Sequence, residues 1–433
     1  MAHVAIIGGG VAGMGAAVAL CRAGHRITLF DSNGELGGRC RTFFWHGRWR
    51  IRGAHSFIAG EANIVALSEL LGIHDPAQIE DRSAEHVFSI LRAGRVHKLH
   101  SLAPRHVALT SLLSVSEKLR AAAALAPLSR ARTTSLDDRL AIAHFRTACP
   151  AFADYVLEPV FGLFCGYAPG DFSLAWLAWL MAQQGSGDNR WWAFREGGVG
   201  RLTTALAGWL RDQPAVMLHP GTAVSAVREQ IDHVELQVAG APFAADAVIV
   251  AVPGPLAAAL IPAPDHPARA VLAKCRYSRH DVVHVQLAGA RSPPLRRVVL
   301  PAAEGFGFVA NLEFEPGPDD RLIVYGETKG ELPPGVTATA DAILAAFLKE
   351  AARFWPPLGD ARLLDAHVEI NDLALPCFAP GYLSSVQAWQ QGAPPSRIEP
   401  AGDWLFNTSV GSALGSGERA AQRIMTRLAT LAA

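Results

Sequence analysis

The chain has 433 residues, and half of them are hydrophobic, which is enough for sizeable cores. This length exceeds that of one ordinary core, so we expect two intertwined domains. The 39 basic and 39 acidic side chains cancel, and this balance gives no global field that would favour nucleic acid or an anionic surface as a partner.

The N-terminus is predicted to form a strand, a glycine turn and a helix. Residues 3–7 are apolar, and the turn runs from Gly8 to Gly13. Gly8 permits a tight turn, Gly10 lets the backbone approach a pyrophosphate, and Gly13 allows close packing of helix on strand. The helix N-terminus, with Val11 and Ala12, offers free N–H groups and a positive dipole end to phosphates.

A second predicted strand, residues 27–31, ends in an acidic residue. Asp31 lies 18 residues after Gly13, close to the spacing of an acid that hydrogen-bonds an adenosine ribose. Its carboxylate would repel a 2′-phosphate, which disfavours NADP. Ser32 is predicted to lie beside the same part of the dinucleotide.

A second glycine pair, Gly37 and Gly38, follows almost at once and precedes Arg39. Glycines let the chain pass near a cofactor, and an arginine can neutralise pyrophosphate charge. The run Leu36–Thr42 resembles the second FAD fingerprint of the flavin amine oxidase, protoporphyrinogen oxidase and phytoene desaturase superfamily, GG-(R/K)-x-x-(S/T). The resemblance implies FAD as the cofactor.

Further elements are expected in chain order. Residues 53–57 stand where relatives carry a segment near the flavin, which makes His55 a candidate catalytic residue. The chain between 76 and 190 looks helical, with 172–182 as a buried helix. The remaining expectations are a helix at 63–71, a helix at 202–211, strands of a small sheet at 216–227 and 234–238, a buried strand at 245–253, strands at 282–287 and 322–325, and a helix at 341–354.

The C-terminal segment resembles the same superfamily. There a strand ending in Gly-Asp, here Gly402 and Asp403, places an acid near the ribityl chain, and the next helix points its N-terminus at the flavin ring. The small residues at 411–417 would then fit against that ring. Contacts to the cofactor are implied for Ser409, Val410 and Ala413, and a backbone contact to the adenine for Val224.

The substrate site is less clearly marked. Amine oxidases of this superfamily usually carry a lysine on a substrate-domain strand, and residues 279–287 contain none. Cys377 is not placed for covalent attachment, so FAD is expected to bind non-covalently. The segment 375–381 resembles the desaturase and protoporphyrinogen oxidase branches, and Tyr382 after it is a candidate to face the flavin. An apolar tunnel could be lined by Trp176, Trp179, Trp191, Trp192, Phe161, Phe164 and Tyr167.

We therefore expect an α/β fold, with a Rossmann-like FAD-binding domain at 1–75, 191–258 and 366–433. A mixed α+β substrate domain would be inserted at 76–190 and 259–365. The preferred function is oxidation or desaturation of an apolar, isoprenoid-like or polycyclic molecule, with oxygen or a quinone as the acceptor. The alternatives are an amine or amino-acid oxidase, a redox-neutral double-bond isomerase, and a non-enzymatic protein with a structural flavin.

The composition also indicates where in the cell the protein is expected. The six cysteines form no CxxC pair, which predicts reduced thiols and no metal site. The first strand begins at residue 3, which leaves no room for a cleavable signal peptide, and no run of about 18 uncharged apolar residues occurs. The expected location is cytoplasmic, and peripheral contact with a membrane stays open.

Overall fold

The computed structural model describes residues 1–83, 87–128, 133–168, 170–184, 190–261, 266–317, 319–394, 396–405 and 407–432. The chain divides into two compact units. Unit 1 comprises Met1–Arg82, Asp188–Arg276 and Ser384–Ala433, and unit 2 comprises Ser83–Gly187 and Tyr277–Leu383. Residues 366–383, expected from sequence in the cofactor domain, lie in unit 2. Which segments bind the cofactor and which bind the substrate stays a prediction.

The strands are numbered in chain order. They are β1 (His3–Ile7), β2 (Arg26–Asp31), β3 (Thr42–Trp45), β4 (Arg48–Ile51), β5 (Phe57–Ile58), β6 (Ile79–Asp81), β7 (Phe88–Arg92), β8 (Arg95–Leu99), β9 (Trp191–Phe194), β10 (Val216–Pro220), β11 (Val224–Glu229), β12 (Val234–Val238), β13 (Ala241–Ala245), β14 (Ala247–Val250), β15 (Arg276–Ser278), β16 (Val282–Ala288), β17 (Arg297–Val299), β18 (Val309–Pro316), β19 (Arg321–Thr328), β20 (Arg362–Glu369), β21 (Leu375–Cys377) and β22 (Ile398–Pro400).

The helices are numbered in the same way. They are α1 (Val11–Arg22), α2 (Ala62–Leu70), α3 (Pro104–Leu109), α4 (Val115–Leu125), α5 (Ala141–Ala148), α6 (Pro150–Phe152), α7 (Glu158–Cys165), α8 (Leu174–Gln184), α9 (Gly200–Arg211), α10 (Gly254–Leu260), α11 (Arg269–Leu272), α12 (Ala340–Phe354), α13 (Tyr382–Gly392) and α14 (Val410–Ala432).

Unit 1 is built on a five-stranded parallel sheet with the strand order β10–β2–β1–β14–β22. The central strand β1 pairs with β14, and Ile6 stands opposite Ile249. Parallel strands covered on both faces have nearly continuous apolar sequences, as β1 and β14 do. The buried strand expected at 245–253 is confirmed, with all four residues of β14 buried.

The strand expected from Val216 to Val227 is two strands with different partners. Its first part, β10, joins the edge of the parallel sheet, where Val216 lies opposite Ile27. Its second part, β11, pairs antiparallel with β12 in a three-stranded sheet. The expectation of one small sheet was therefore wrong for 216–220. Gly221, with a φ of 74°, lies between the two strands and lets the chain change direction.

Helices α1 and α14 pack closely in unit 1. A Cβ on Gly417 would lie 1.9 Å from the carbonyl oxygen of Ala12, and one on Gly15 would lie 2.4 Å from Leu414 Cδ1. The sequence analysis attributed the small residues at 411–417 to a flat ring beside α14. For Gly417 the structure shows a different reason, because the backbone of α1 occupies the space that a side chain would need.

Unit 2 contains a seven-stranded sheet with the order β20–β16–β19–β18–β17–β7–β8. On one face, Val283 and Val285 of β16 pack in a core that includes Phe347 of α12. Because side chains alternate along a strand, His284 and Gln286 lie on the opposite face. The sheet therefore has one apolar and one polar face.

The region 76–190 is less helical than its composition suggested. It contains the antiparallel hairpin β7–β8, with Phe88 opposite Leu99, and the short strand β6, which pairs with β9 in unit 1. Strands this short carry too few residues for a period of two to stand out from the alanine and leucine around them. The buried helix expected at 172–182 is present as α8.

The aromatic residues considered for a tunnel separate into two cores. In unit 2 the ring of Trp176 stacks on Phe378 with centroids 5.3 Å apart, and Phe161 and Tyr167 contact the same indole. Trp192 instead packs in the core of unit 1. Its strand β9 pairs with β5 and β6 of unit 1, and the lining of a tunnel by these side chains stays a prediction.

The longest helix, α14, has 23 residues and carries charged side chains at Glu418, Arg419 and Arg423. Within the ranges given above, no helix combines the length and the apolar character that a membrane span needs. In the same part of the chain, no three His, Cys, Asp or Glu side chains are grouped so that they could bind a metal ion.

Candidate functional site

The glycine turn between β1 and α1 has the geometry that its sequence predicts. Gly8 has a φ of 106°, and a Cβ on it would lie 2.5 Å from the carbonyl oxygen of Ala251. A Cβ on Gly13 would lie 1.9 Å from the carbonyl oxygen of Gly8. Both glycines are therefore required by the packing of unit 1 itself, whatever binds beside the turn.

Gly10 differs from its neighbours, because no heavy atom lies within 4 Å of the place where its Cβ would be. The space beside Gly10 is open, and the first N–H groups of α1 border it. Among the described residues, none accepts a hydrogen bond from the N–H of Val11 or Ala12. An open space with unsatisfied donors at a helix N-terminus fits the pyrophosphate of a dinucleotide.

Asp31 ends β2 beside this turn and is 8% exposed. Its Oδ2 accepts from the N–H of Gly9 at 2.6 Å, and its Oδ1 accepts from the N–H of Asn33 at 2.7 Å. The Asn33 side-chain amide also donates to Oδ1, at 2.9 Å, so Oδ2 is the oxygen that keeps a lone pair for a ribose hydroxyl. Ser32 is exposed next to it.

The second glycine pair lies against the first. The N–H of Gly37 donates to the carbonyl oxygen of Gly9 at 2.8 Å, and the Cβ position of Gly38 is 3.4 Å from the Cα of Gly10. Both residues have positive φ, 117° for Gly37 and 54° for Gly38, which favours glycine at each. The two motifs that were recognised separately in the sequence thus border the same open space.

Arg39 and Asp403 join the two ends of the chain. The guanidinium binds the carboxylate through two hydrogen bonds, Nη1 to Oδ2 at 2.7 Å and Nη2 to Oδ1 at 3.1 Å. The sequence analysis assigned Arg39 to the pyrophosphate and Asp403 to the ribityl chain. The structure pairs them with each other, so their contacts to a cofactor stay a prediction. Gly402, before Asp403, has a φ of 151° and donates its N–H to Ser416 Oγ at 2.8 Å.

The first turn of α14 is partly capped by its own residues. Ser409 Oγ accepts from the N–H of Ser412 at 3.1 Å, and the Ser409 carbonyl accepts from the N–H of Ala413 at 3.1 Å. Within the described part of the chain, the N–H of Val410 has no acceptor. A donor therefore remains at this helix end for a bound group, and the contact of Val410 with the cofactor stays a prediction.

Glu61 was not identified from the sequence, and it lies at the same helix end. Its carboxylate faces the Ser409 side chain and the N–H of Gly411, which favour its charged form. Burial outweighs them and raises the pKa of Glu61 above its ordinary value. Its neighbours on α14 are about 350 residues away in sequence, so no local pattern indicates the contact.

The remaining predicted residues lie in different places. Val224 begins β11 of unit 1, paired with Val238. His55 is partly buried and follows Ala54, whose N–H donates to the Arg39 carbonyl at 3.0 Å. Tyr382 belongs to unit 2, where it is 1% exposed and its ring lies 5.9 Å from that of Phe378.

The polar face of the unit 2 sheet carries further ionisable side chains that the sequence analysis did not single out. The rings of His284 and Tyr325 lie 5.0 Å apart, and Arg297 pairs with Glu313 at 2.5 Å. Burial raises the pKa of Tyr325 well above its ordinary value, and the adjacent Glu327 raises it further. His284 lies on the strand where the sequence analysis looked for a lysine.

Comparison with known proteins agrees with this architecture. Residues 11–425 match the family described as flavin containing amine oxidoreductase. Protoporphyrinogen oxidase 2 of Arabidopsis thaliana is 32% identical over 76 residues, which are 18% of this chain and 15% of that protein. The zeta-carotene desaturase of Zea mays is 32% identical over 139 residues, which are 30% of this chain and 24% of that protein.

The matched segments thus span less than a quarter of the length of these two relatives. A solved structure, cyclohexylamine oxidase from Brevibacterium oxydans IH-35A, covers 99% of this chain with 99% of its own. It is 18% identical and superimposes with a TM-score of 0.72. At this identity the likeness concerns the fold alone.

Proposed function

The chain belongs to the flavin-containing amine oxidoreductase family with FAD as its cofactor, and from this premise we propose that it oxidises or desaturates an apolar, isoprenoid-like or polycyclic small molecule. The observation that carries the flavin-dependent part of the proposal is the open space beside Gly10, bordered by both glycine motifs and by the unsatisfied N–H groups of α1. FAD bound there would accept a hydride from a substrate carbon at flavin N5.

The residues of the chain have separate tasks in this proposal. Val11 and Ala12 bind the pyrophosphate through their N–H groups, and Asp31 holds the adenosine ribose. Arg39, already bound to Asp403, positions that carboxylate for the ribityl hydroxyls. The proposed extent of the binding segments is 1–75, 191–258 and 366–433, with a substrate domain at 76–190 and 259–365.

The apolar substrate is supported by two features. The strand β16 carries no lysine, which separates the chain from typical amine oxidases. The zeta-carotene desaturase of Zea mays shares more aligned residues with this chain than the protoporphyrinogen oxidase does. Oxygen or a quinone is proposed as the electron acceptor, with peripheral membrane contact where the substrate is a lipid. His55 and Tyr382 are the proposed catalytic side chains, and either could orient substrate or relay a proton.

An amine or amino-acid oxidase is the second candidate, and the polar face of the unit 2 sheet favours it. His284, Tyr325 and Glu327 place ionisable groups on that face, whereas a hydrocarbon gains nothing from polar partners. A redox-neutral isomerase of double bonds would use the same cofactor site.

One experiment separates these candidates. Purified protein is expected to be yellow and to lose its colour anaerobically when a linear isoprenoid or a polycyclic hydrocarbon is added. Bleaching by amines or L-amino acids, with hydrogen peroxide on return of air, would favour the second candidate. Conversion of substrate without any bleaching would indicate the isomerase. Colourless protein that cannot be reconstituted with FAD would contradict all three.

A further inference from the structure

Glu61 lies at the N-terminus of α14. A Cβ on Gly411 would lie 2.5 Å from its Cδ and 2.6 Å from its Oε1, so the carboxyl group lies directly against the first turn of that helix. The N–H of Ile58 reaches its Oε2 at 3.4 Å. Glu61 immediately precedes α2, and Asn63 in the first turn of α2 donates to the Gly411 carbonyl at 2.8 Å and joins the two helix ends.

The charged groups around Glu61 do not neutralise it. Arg39 is bound to Asp403 through two hydrogen bonds, so its charge is already compensated. The pKa of the buried Cys40 thiol responds to Arg39, to Asp403 and to Glu61, which places all of them in one electrostatic environment. On α14, Arg419 is near the Cβ position of Gly415, one turn further along the helix.

The position has a consequence for a bound group. The N-terminus of a helix carries about half a positive charge and stabilises an anion. The N–H of Gly411 faces the Glu61 carboxylate, while that of Val410 is open. A negative charge on Glu61 therefore opposes any second negative charge that develops beside Val410.

We propose that Glu61 takes up a proton when the bound flavin is reduced and releases it when the flavin is reoxidised. The inference rests on the proposed contact of Ser409 and Val410 with FAD. The flavin gains two electrons and one proton as a hydride, and in addition a proton from solvent converts the Glu61 carboxylate to a neutral carboxylic acid. On reoxidation that proton returns to solvent. Burial of the carboxyl raises the pKa of Glu61 above its ordinary value and so favours this uptake of a proton.

The reduction potential of the holoenzyme, measured against pH with mediator dyes, tests the proposal without a substrate. Each proton bound per two electrons lowers a two-electron potential by about 30 mV per pH unit. We expect a slope of two protons per two electrons for the wild type in the window where Glu61 changes its charge. Glu61→Gln should show a slope of one proton and a higher potential on the alkaline side. Glu69→Gln, an exposed acid on α2, is the matched control and should behave as the wild type does.

Equal slopes for the wild type and Glu61→Gln would overturn the proposal. If Glu61→Gln does not fold, the proposal can still be tested on the wild type with an infrared difference spectrum, reduced minus oxidised, which reports protonation of carboxyl groups. A protonated carboxyl band should appear on reduction, and its absence would equally overturn the proposal. Wild-type protein that binds no FAD would instead refute the proposed function, so the two failures are distinguishable.

Discussion

Replacement of Gly10 by alanine should separate binding of the cofactor from folding. Gly10 has φ −77° and ψ −178°, extended backbone that alanine adopts without strain. Its Cβ would meet no heavy atom within 4 Å. The folded protein without FAD can therefore accept the methyl group, but that group enters the space proposed for the pyrophosphate.

Two opposing effects set the stability of this variant. Alanine lowers the conformational entropy of the unfolded chain, which stabilises the folded protein by about 0.4–1 kcal/mol. As the N-cap residue of α1, alanine destabilises the folded protein by about 0.5–1 kcal/mol. We expect the free energy of unfolding of the apoprotein to stay within about 0.5 kcal/mol of the wild type. A hydrogen bond to a charged phosphate contributes about 1.5–3 kcal/mol, so displacement of one such contact should weaken FAD binding about 10-fold to 150-fold.

Gly13→Ala is the control, because its methyl carbon would lie 1.9 Å from the Gly8 carbonyl oxygen. Overpacking against backbone should destabilise the apoprotein by about 3 kcal/mol. Urea unfolding of both apoproteins and titration with FAD, followed by flavin fluorescence, provide the measurements. Undiminished FAD affinity in Gly10→Ala, or unfolding energies that do not differ between the two variants, would refute this account of the turn.

Three further outcomes are expected. Because burial raises the pKa of Glu61, the folded apoprotein keeps a proton that the unfolded chain has lost, so stability should fall as pH rises from the ordinary glutamate value to the raised one. The free energy of unfolding, measured with urea, should change less with pH across this range in Glu61→Gln than in the wild type. An equal pH dependence in the two proteins would contradict this prediction. Lys329 forms a buried ion pair with Glu158, and Lys329→Met leaves the Glu158 carboxylate without a positive charge beside it. The free energy of unfolding, measured by chemical denaturation, should fall by about 3–5 kcal/mol, and the double variant with Glu158→Gln should recover most of this loss. Burial raises the pKa of Cys40 to about 12, so native protein at pH 8 should show no maleimide adduct at Cys40 by peptide mass spectrometry until it is unfolded.

The glycine motifs could be recognised in the sequence because their signals are local. The glycine turn, Asp31 and the second glycine pair follow one another within 39 residues, and each residue type answers a steric need that is visible without a partner. The structure adds that Gly8 and Gly13 are required by packing, whereas the space beside Gly10 is left open. Val216–Pro220 was misassigned, because an edge strand of a parallel sheet and a strand of a small antiparallel sheet can have the same local composition.

The sequence by itself determined the α/β fold and FAD as the cofactor, both of which the family match supports. Only the tertiary structure decided which side chains meet across long separations. Arg39 binds Asp403 across 364 residues, and Glu61 lies against the first turn of α14. The polar face of the unit 2 sheet likewise depends on the register between β16 and β19. Hydrophobic period and turn chemistry act over a few residues, but the pairing of buried charges depends on which elements pack together, and that is a property of the folded chain.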